Sequence, residues 1–302
     1  MHRPALTVLL SFILGTTPLV SAPDALTGTN DTLGSVTTHA GRYGSGRSQI
    51  PDTHSRAAQA EALSIVSRDA AGAPMENGRI VIACIGFPDP SPDFRIFINY
   101  LSGKKMSPAL LIVDCSQPKA GLKEWASSSG ETSLWNGVGT RLAWFGAAAS
   151  QVQIAWVHLS GSAMEYDRYQ DILKARVMIV LETMRRKFPN LRVAYLTSSA
   201  DERYTRYPEP YCYRYGHCIR SLILDQIAQN PKLNYDRSRG MVRMPLLLWG
   251  PDARIEMRPS NPGIMHAPND AAPAGTDGRG RSIHDHFLSD PSGGSWFALN
   301  VR

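Results

Sequence analysis

The sequence predicts an α/β fold with a five-stranded, largely parallel sheet covered by helices on both faces. Two observations predict it. Five short apolar runs rich in Val, Ile and Leu are spaced along residues 79–250. Helical periodicity fills the intervals between them, and strands that alternate with helices form parallel sheets with both faces buried.

The elements follow in order. Arg79–Ile85 (RIVIACI) is a run of β-branched and apolar residues ended by Gly86, the pattern of a buried strand. Asp93–Leu101 fits a short helix. Pro108–Val113 (PALLIV) is the second strand and ends at Asp114. Short helices fit Gly121–Ala126 and Leu134–Phe145. Gln151–Leu159 (QVQIAWVHL) is the third strand. Tyr166, Tyr169, Ile172, Leu173, Val177, Val180, Leu181 and Met184 then recur at three- and four-residue spacing, with Arg168, Lys174, Arg185 and Arg186 on much of the other face. That is an amphipathic helix, stopped by Phe188-Pro189-Asn190. Leu191–Leu196 is the fourth strand, Tyr211–Gln229 a helix closed near Asn230-Pro231, and Met244–Trp249 the fifth strand. Residues 252–302 read as an irregular C-terminal segment, being rich in Pro, Gly, Asp and Arg.

Two stretches precede this core. Residues 1–22 run from a basic start (Met1-His2-Arg3) through the uncharged, mostly apolar Ala5–Val20 to Val20-Ser21-Ala22. This is the pattern of a secretory signal peptide, and it predicts a secreted or periplasmic protein with no membrane span after cleavage. The run is shorter than the ~20 apolar residues of a spanning helix. Residues 23–78 are rich in Ser, Thr, Gly and Ala and nearly free of aromatic residues, the composition of a disordered linker. The core, residues 79–302, has the length of one ordinary domain.

The formal charge of +6 is spread along the chain rather than gathered in a run, and it gives no ground for a nucleic-acid partner. The four cysteines are Cys84, Cys115, Cys212 and Cys218. Cys84 and Cys115 end neighbouring strands, so they are either a disulfide or two buried thiols. No C-x-x-C pair is present, and His284 and His286 supply only two ligands, so neither a metal nor another cofactor is expected.

Ligands in such sheets bind beyond the carboxyl ends of the strands. The segments there form an ordered set: Ile85-Gly86-Phe87, Asp114-Cys115-Ser116-Gln117, Lys123-Glu124-Trp125-Ala126, Gln151–Trp156, Phe188-Pro189-Asn190-Leu191, Tyr195-Leu196-Thr197-Ser198, Pro208-Glu209-Pro210-Tyr211 and Leu248-Trp249-Gly250-Pro251. In order and spacing this set resembles the SGNH (GDSL-like) hydrolases, a flavodoxin-like esterase family. The resemblance implies a serine nucleophile after the first strand, a glycine amide after the second and an asparagine amide to hold the oxyanion, and a histidine in a late Asp-x-x-His segment.

The chain departs from that pattern at each catalytic position. Where the serine is expected stands Pro88, which has no hydroxyl and no N–H, followed by Asp89. Ser91 lies three residues on, between Pro90 and Pro92, and reads as a loop serine or a displaced nucleophile. Where paired glycines are expected stand Pro118 and Lys119, so an oxyanion donor is lost. If Pro291-Ser292 aligns with the family's His-Pro-Ser, the histidine position holds Asp290; a different register offers His284 or His286, without the Asp-x-x-His spacing. Losing nucleophile, donor and base together leaves little beyond binding.

The expectation is therefore a non-catalytic relative that binds a ligand or partner, such as a small ester or carbohydrate, in the former substrate cleft. Gly86, Asp89, Asp114, Gln117, Ser198, Tyr207 and Glu209 are the candidate cleft residues. The alternative is an esterase or deacetylase acting on an acylated carbohydrate or small ester, using Ser91 with His284 or His286.

Overall fold

The computed structural model describes residues 42–43, 47, 49–86, 93–104, 106–117, 120–127, 133–159, 170–197, 214–251 and 273–297. The strands are β1 (Ile80–Gly86), β2 (Leu110–Asp114), β3 (Val152–His158), β4 (Val193–Leu196) and β5 (Leu246–Trp249). All pair in parallel, in the order β2-β1-β3-β4-β5, which is the flavodoxin-like order. β1, β3, β4 and β5 are buried along their whole length. A strand covered on both faces has no polar side to show, and so it appears in sequence as an unbroken apolar run.

The helices are α1 (Asp52–Leu63), α2 (Asp93–Leu101), α3 (Leu122–Trp125), α4 (Ser133–Trp144), α5 (Gln170–Lys187), α6 (Arg214–Ile227), α7 (Pro273–Ser289) and α8 (Gly293–Trp296). Alternation along each strand divides the core. Val81, Ala83, Ile85, Ala194, Leu196, Leu247 and Trp249 join Trp125, Val138, Leu142, Val177, Leu181, Ile219 and Leu222 of α3 to α6 on one face. Ile82, Cys84, Ile154, Trp156, Tyr195 and Leu248 join Ala58, Ala62, Phe97, Ile283, Phe287 and Trp296 of α1, α2, α7 and α8 on the other. Among the described residues no helix is long and apolar enough to cross a membrane.

The same alternation decides between the two readings of Cys84 and Cys115. Cys84 pairs in register with Asp114, so Cys115, one residue further, points to the opposite face. Both are free, buried thiols, as is Cys218, and the proximity of the strand ends is spent on a backbone hydrogen bond from Cys115 N to Cys84 O at 2.9 Å. Burial pushes the Cys84 thiol well up, and pushes Cys115 and Cys218 up to about 12. The thiolate is the reactive form, so a chromogenic disulfide reagent at neutral pH should label none of the three in the folded protein and all three in denaturant. Peptide mapping of the labelled sites checks this.

Two boundaries need correction. The first is the disordered linker at 23–78, whose described part is ordered from residue 49 onward. α1 lies over β4 and β5 and buries His54, Ala58 and Ala62, a narrow stripe at four-residue spacing. Small side chains let the helix sit close to the sheet, so a lack of aromatic residues did not mean a lack of core. Behind it, residues 64–79 fold back on themselves. Arg68 and Arg79 exchange backbone hydrogen bonds at 3.0 and 2.8 Å, and the Gln153 amide bridges Val66 N, Val66 O and Arg68 Nε.

The second is the irregular segment 252–302. α7 is a 17-residue helix packed on α2. Its run of Gly, Thr, Asp and Ser has poor helix propensity, but tertiary packing overrides it. Ile283 and Phe287 enter the core, and Gly280 passes so close to α2 that a Cβ there would stand 2.4 Å from Tyr100 Cβ. Residues 252–272 and 298–302 lie outside the described residues.

His54 makes the docking of α1 sensitive to pH. Its Nε2 donates to the Leu247 carbonyl at 2.8 Å, and burial lowers its pKa below 6.5. The unfolded chain takes up a proton near pH 6.5 that the folded chain resists. The contribution is therefore fully present above about pH 6.5 and is lost as the pH falls through that value, with a limiting slope of about 1.4 kcal/mol per pH unit. Asp290 and Glu61 act in the opposite sense, because burial raises their pKa values. Urea unfolding of the wild type and His54→Gln between pH 7.5 and 5.5 (about two units around the free imidazole value) isolates the term. The gap between the two proteins should narrow on acidification.

Candidate functional site

The strand order reverses at β1, so the crevice at the carboxyl ends of β1 and β3 is the topological switch point, where open α/β sheets bind ligands. Gly86 ends β1 and pairs with His158 at the end of β3. A Cβ on Gly86 would lie 2.1 Å from the His158 carbonyl oxygen, so only glycine lets the two strand ends close this tightly. Gln117, just past β2, donates its N–H to the Gly86 carbonyl at 3.2 Å, and its side-chain amide lies against Gly137 of α4.

Asp93, the first residue of α2, sits beside this crevice with no exposure at all. His158 Nδ1 is 3.4 Å from Asp93 Oδ2, and Arg279 Nε of α7 is 2.5 Å from Oδ1. The guanidinium contact is an ion pair whose N–H is out of line with the carboxylate. His158 is 5% exposed and Arg279 15%, and the edge of the His158 ring meets Phe94 at 6.4 Å between centroids. A carboxylate buried at a helix N-terminus is favoured by the helix dipole, and here it also gathers a cation and an imidazole. The arrangement can hold a proton on His158 Nδ1 and fix the ring. The carboxylate is shared with Arg279, however, which leaves it a weaker orienter than one committed to the imidazole alone.

Of the sequence-derived candidates, Gly86 and Gln117 come together at the crevice. Asp114 does not present its carboxylate there. Its Oδ1 accepts from Ser116 N at 3.0 Å and Ser116 Oγ at 2.6 Å, closing a local turn, and its carbonyl accepts from Arg141 Nε at 3.0 Å. Pro88, Asp89, Ser91, Pro118, Ser198, Tyr207 and Glu209 lie outside the described residues. Next to Ser198, Thr197 is buried and bonded within the fold. It accepts from Trp156 Nε1 at 2.9 Å and donates to the Pro251 carbonyl at 3.1 Å, tying the ends of β3, β4 and β5 together.

The late segment is placed away from Gly86. Asp290 Oδ1 accepts from Tyr195 Oη at 2.8 Å, Ser292 N at 2.9 Å and Gly293 N at 3.3 Å. Its carboxylate thus caps α8 and anchors a core tyrosine. Burial raises the Asp290 pKa, against these three hydrogen bonds. His286 Nε2 is 3.1 Å from the Trp249 carbonyl at the end of β5, three strand spacings from β1, or roughly 14 Å. His284 pairs with Asp285 at 3.1 Å and packs its ring on Tyr100 and Phe297.

Sequence reasoning missed His158, Asp93 and Arg279. One signal was available: His158 is a lone ionisable side chain closing the apolar run Ile154–Val157, at the end of the strand where ligands bind. Asp93 and Arg279 have no local spacing that links them to it, since they come from helices 186 residues apart in sequence. No protein-family model matches the chain, and no characterised protein compared with it matches.

Proposed function

We propose that this chain is an exported SGNH-hydrolase-like protein that binds a small ester or carbohydrate ligand in the former substrate cleft without hydrolysing it. The observation that carries the reading is Asp290. With Pro291-Ser292 aligned to the family's His-Pro-Ser, Asp290 stands at the histidine position, and its carboxylate is used within the fold by Tyr195, Ser292 and Gly293. The flavodoxin-like strand order and the replacement of the serine and glycine positions by Pro88 and Pro118 support the same reading. The apolar run after Arg3 supports export.

One observation favours the alternative, an esterase or deacetylase on an acylated carbohydrate or small ester. The Asp93–His158 pair has the carboxylate on Nδ1, the side from which a triad orients its histidine, and it stands at the switch point. A base there would take the place of the late histidine. Incubation with p-nitrophenyl acetate separates the two. The non-catalytic reading expects hydrolysis equal to that of buffer and unchanged in Ser91→Ala and His158→Gln. Turnover lost in both variants, with their folding intact by circular dichroism, would establish the esterase instead.

A further inference from the structure

At the opposite end of the sheet, where β4 begins, three guanidinium groups surround one pocket. Arg185 comes from the last turn of α5, Arg192 from the residue before β4, and Arg237 from the 3₁₀ turn Arg237–Arg239. The pocket is a narrow cleft open to solvent that encloses no more than about one water molecule, and Met244 and Tyr235 form part of its wall. Among the described residues Glu61 is the single carboxylate in the lining, against three guanidinium groups.

The pairing inside the pocket is incomplete. Glu61 Oε2 is 3.3 Å from Arg192 Nη1, which accounts for one cation. Arg185 Nη1 donates to the Pro189 carbonyl at 2.8 Å, but its buried Nε–H has no acceptor among the described residues. A buried N–H without an acceptor costs stability. Burial first, then the charges of Arg237 and Arg192, lowers the pKa of the Arg185 guanidinium, the response of a cation crowded by its own kind. Arg237 is exposed at the mouth and Tyr235 is half-buried in the wall.

We infer that this pocket is an oxyanion-binding site for a phosphate group, either free or as the monoester of a small molecule. Guanidinium forks match tetrahedral oxyanions with paired N–H donors. A phosphate at the mouth of the cleft meets Arg237, which is exposed there. The site is separate from the switch point and does not rest on the hydrolase-like reading.

Thermal unfolding in inorganic phosphate, against chloride at equal ionic strength, tests it. The expected result is a saturable rise in Tm of about 3–5 °C at about 10 mM phosphate. Arg237→Gln and Arg185→Gln should each weaken the apparent affinity about tenfold, the size of one charged hydrogen-bonding partner lost. Arg141→Gln, on α4, should leave it unchanged. Arg237 is exposed, so its variant retains the fold even if Arg185→Gln does not. A second titration with glycerol phosphate distinguishes the sources: tighter binding than inorganic phosphate assigns the monoester, and equal or weaker binding assigns the free anion. A phosphate effect no larger than that of chloride, or equal affinity in Arg237→Gln and wild type, overturns the inference.

Discussion

Phe287→Ala should destabilise the protein by about 3–5 kcal/mol, the range for deleting a fully buried aromatic ring. Phe287 is the hub of the aromatic cluster between the sheet and the C-terminal helices. Its ring centroid is 5.1 Å from Tyr195, 5.4 Å from Phe97, 5.6 Å from Trp156, 5.6 Å from Phe297 and 6.1 Å from Trp296. Most of these pairs meet edge to face, the geometry in which ring quadrupoles attract. Removing the ring takes a partner from two strands, from α2 and from the joint between α7 and α8 at once. That joint has little room to collapse, because a Cβ at Gly293 would lie 1.8 Å from the Phe287 carbonyl oxygen. Urea unfolding measures the loss, and Phe287→Leu, which keeps much of the volume, should lose less. Were residues 273–297 the irregular tail that their composition suggests, both variants would unfold like wild type. Limited proteolysis adds a local readout, since cleavage within α7 should appear in Phe287→Ala before the sheet unfolds.

The contrast between α7 and the strands shows what the sequence carries. A parallel strand buried on both faces writes its state into consecutive residues. Thus Ile80–Gly86 and Val152–His158 were legible to within a residue or two, and the periodic face of α5 was equally plain. α1 and α7 write theirs differently. The buried stripe of α1 is His54, Ala58 and Ala62, too small and too polar to stand out from a linker. α7 is helical because Gly280, Ile283 and Phe287 fit against α2, a property of the partner surface as much as of its own residues. The candidate site divides in the same way. Gly86 and Gln117 follow from the strand ends, but the Asp93–His158–Arg279 trio joins α2, β3 and α7, and no sequence spacing announces it. The pocket at the start of β4 has the same origin, with its three arginines drawn from α5, a strand entry and a turn.

That trio supplies the other large effect. Asp93→Ala should cost about 3–5 kcal/mol, because it removes the buried carboxylate that faces both Arg279 and His158. The figure is the cost of breaking the network and exceeds its net worth, since desolvating three polar groups has already offset much of their attraction. This distinction is measurable. Asp93→Leu combined with Arg279→Leu removes the buried carboxylate and its cation together, and should be more stable than Asp93→Leu alone by about 1–3 kcal/mol of coupling. A loss under about 1 kcal/mol in Asp93→Ala would mean that water reaches the carboxylate and that the trio is not a buried network. The result also bears on the crevice. Asp93 holds the imidazole of His158 from one side while Arg279 ties the same carboxylate to α7, so the geometry at the end of β3 depends on the docking of a helix more than a hundred residues away. Asp93→Asn keeps the shape and removes the charge. It should therefore loosen α7 and the His158 ring together, and proteolysis within α7 should rise in step with the broadening of the His158 imidazole resonance. Broadening of the imidazole with α7 still protected would show that Asp93 holds the ring alone and that Arg279 only neutralises its charge.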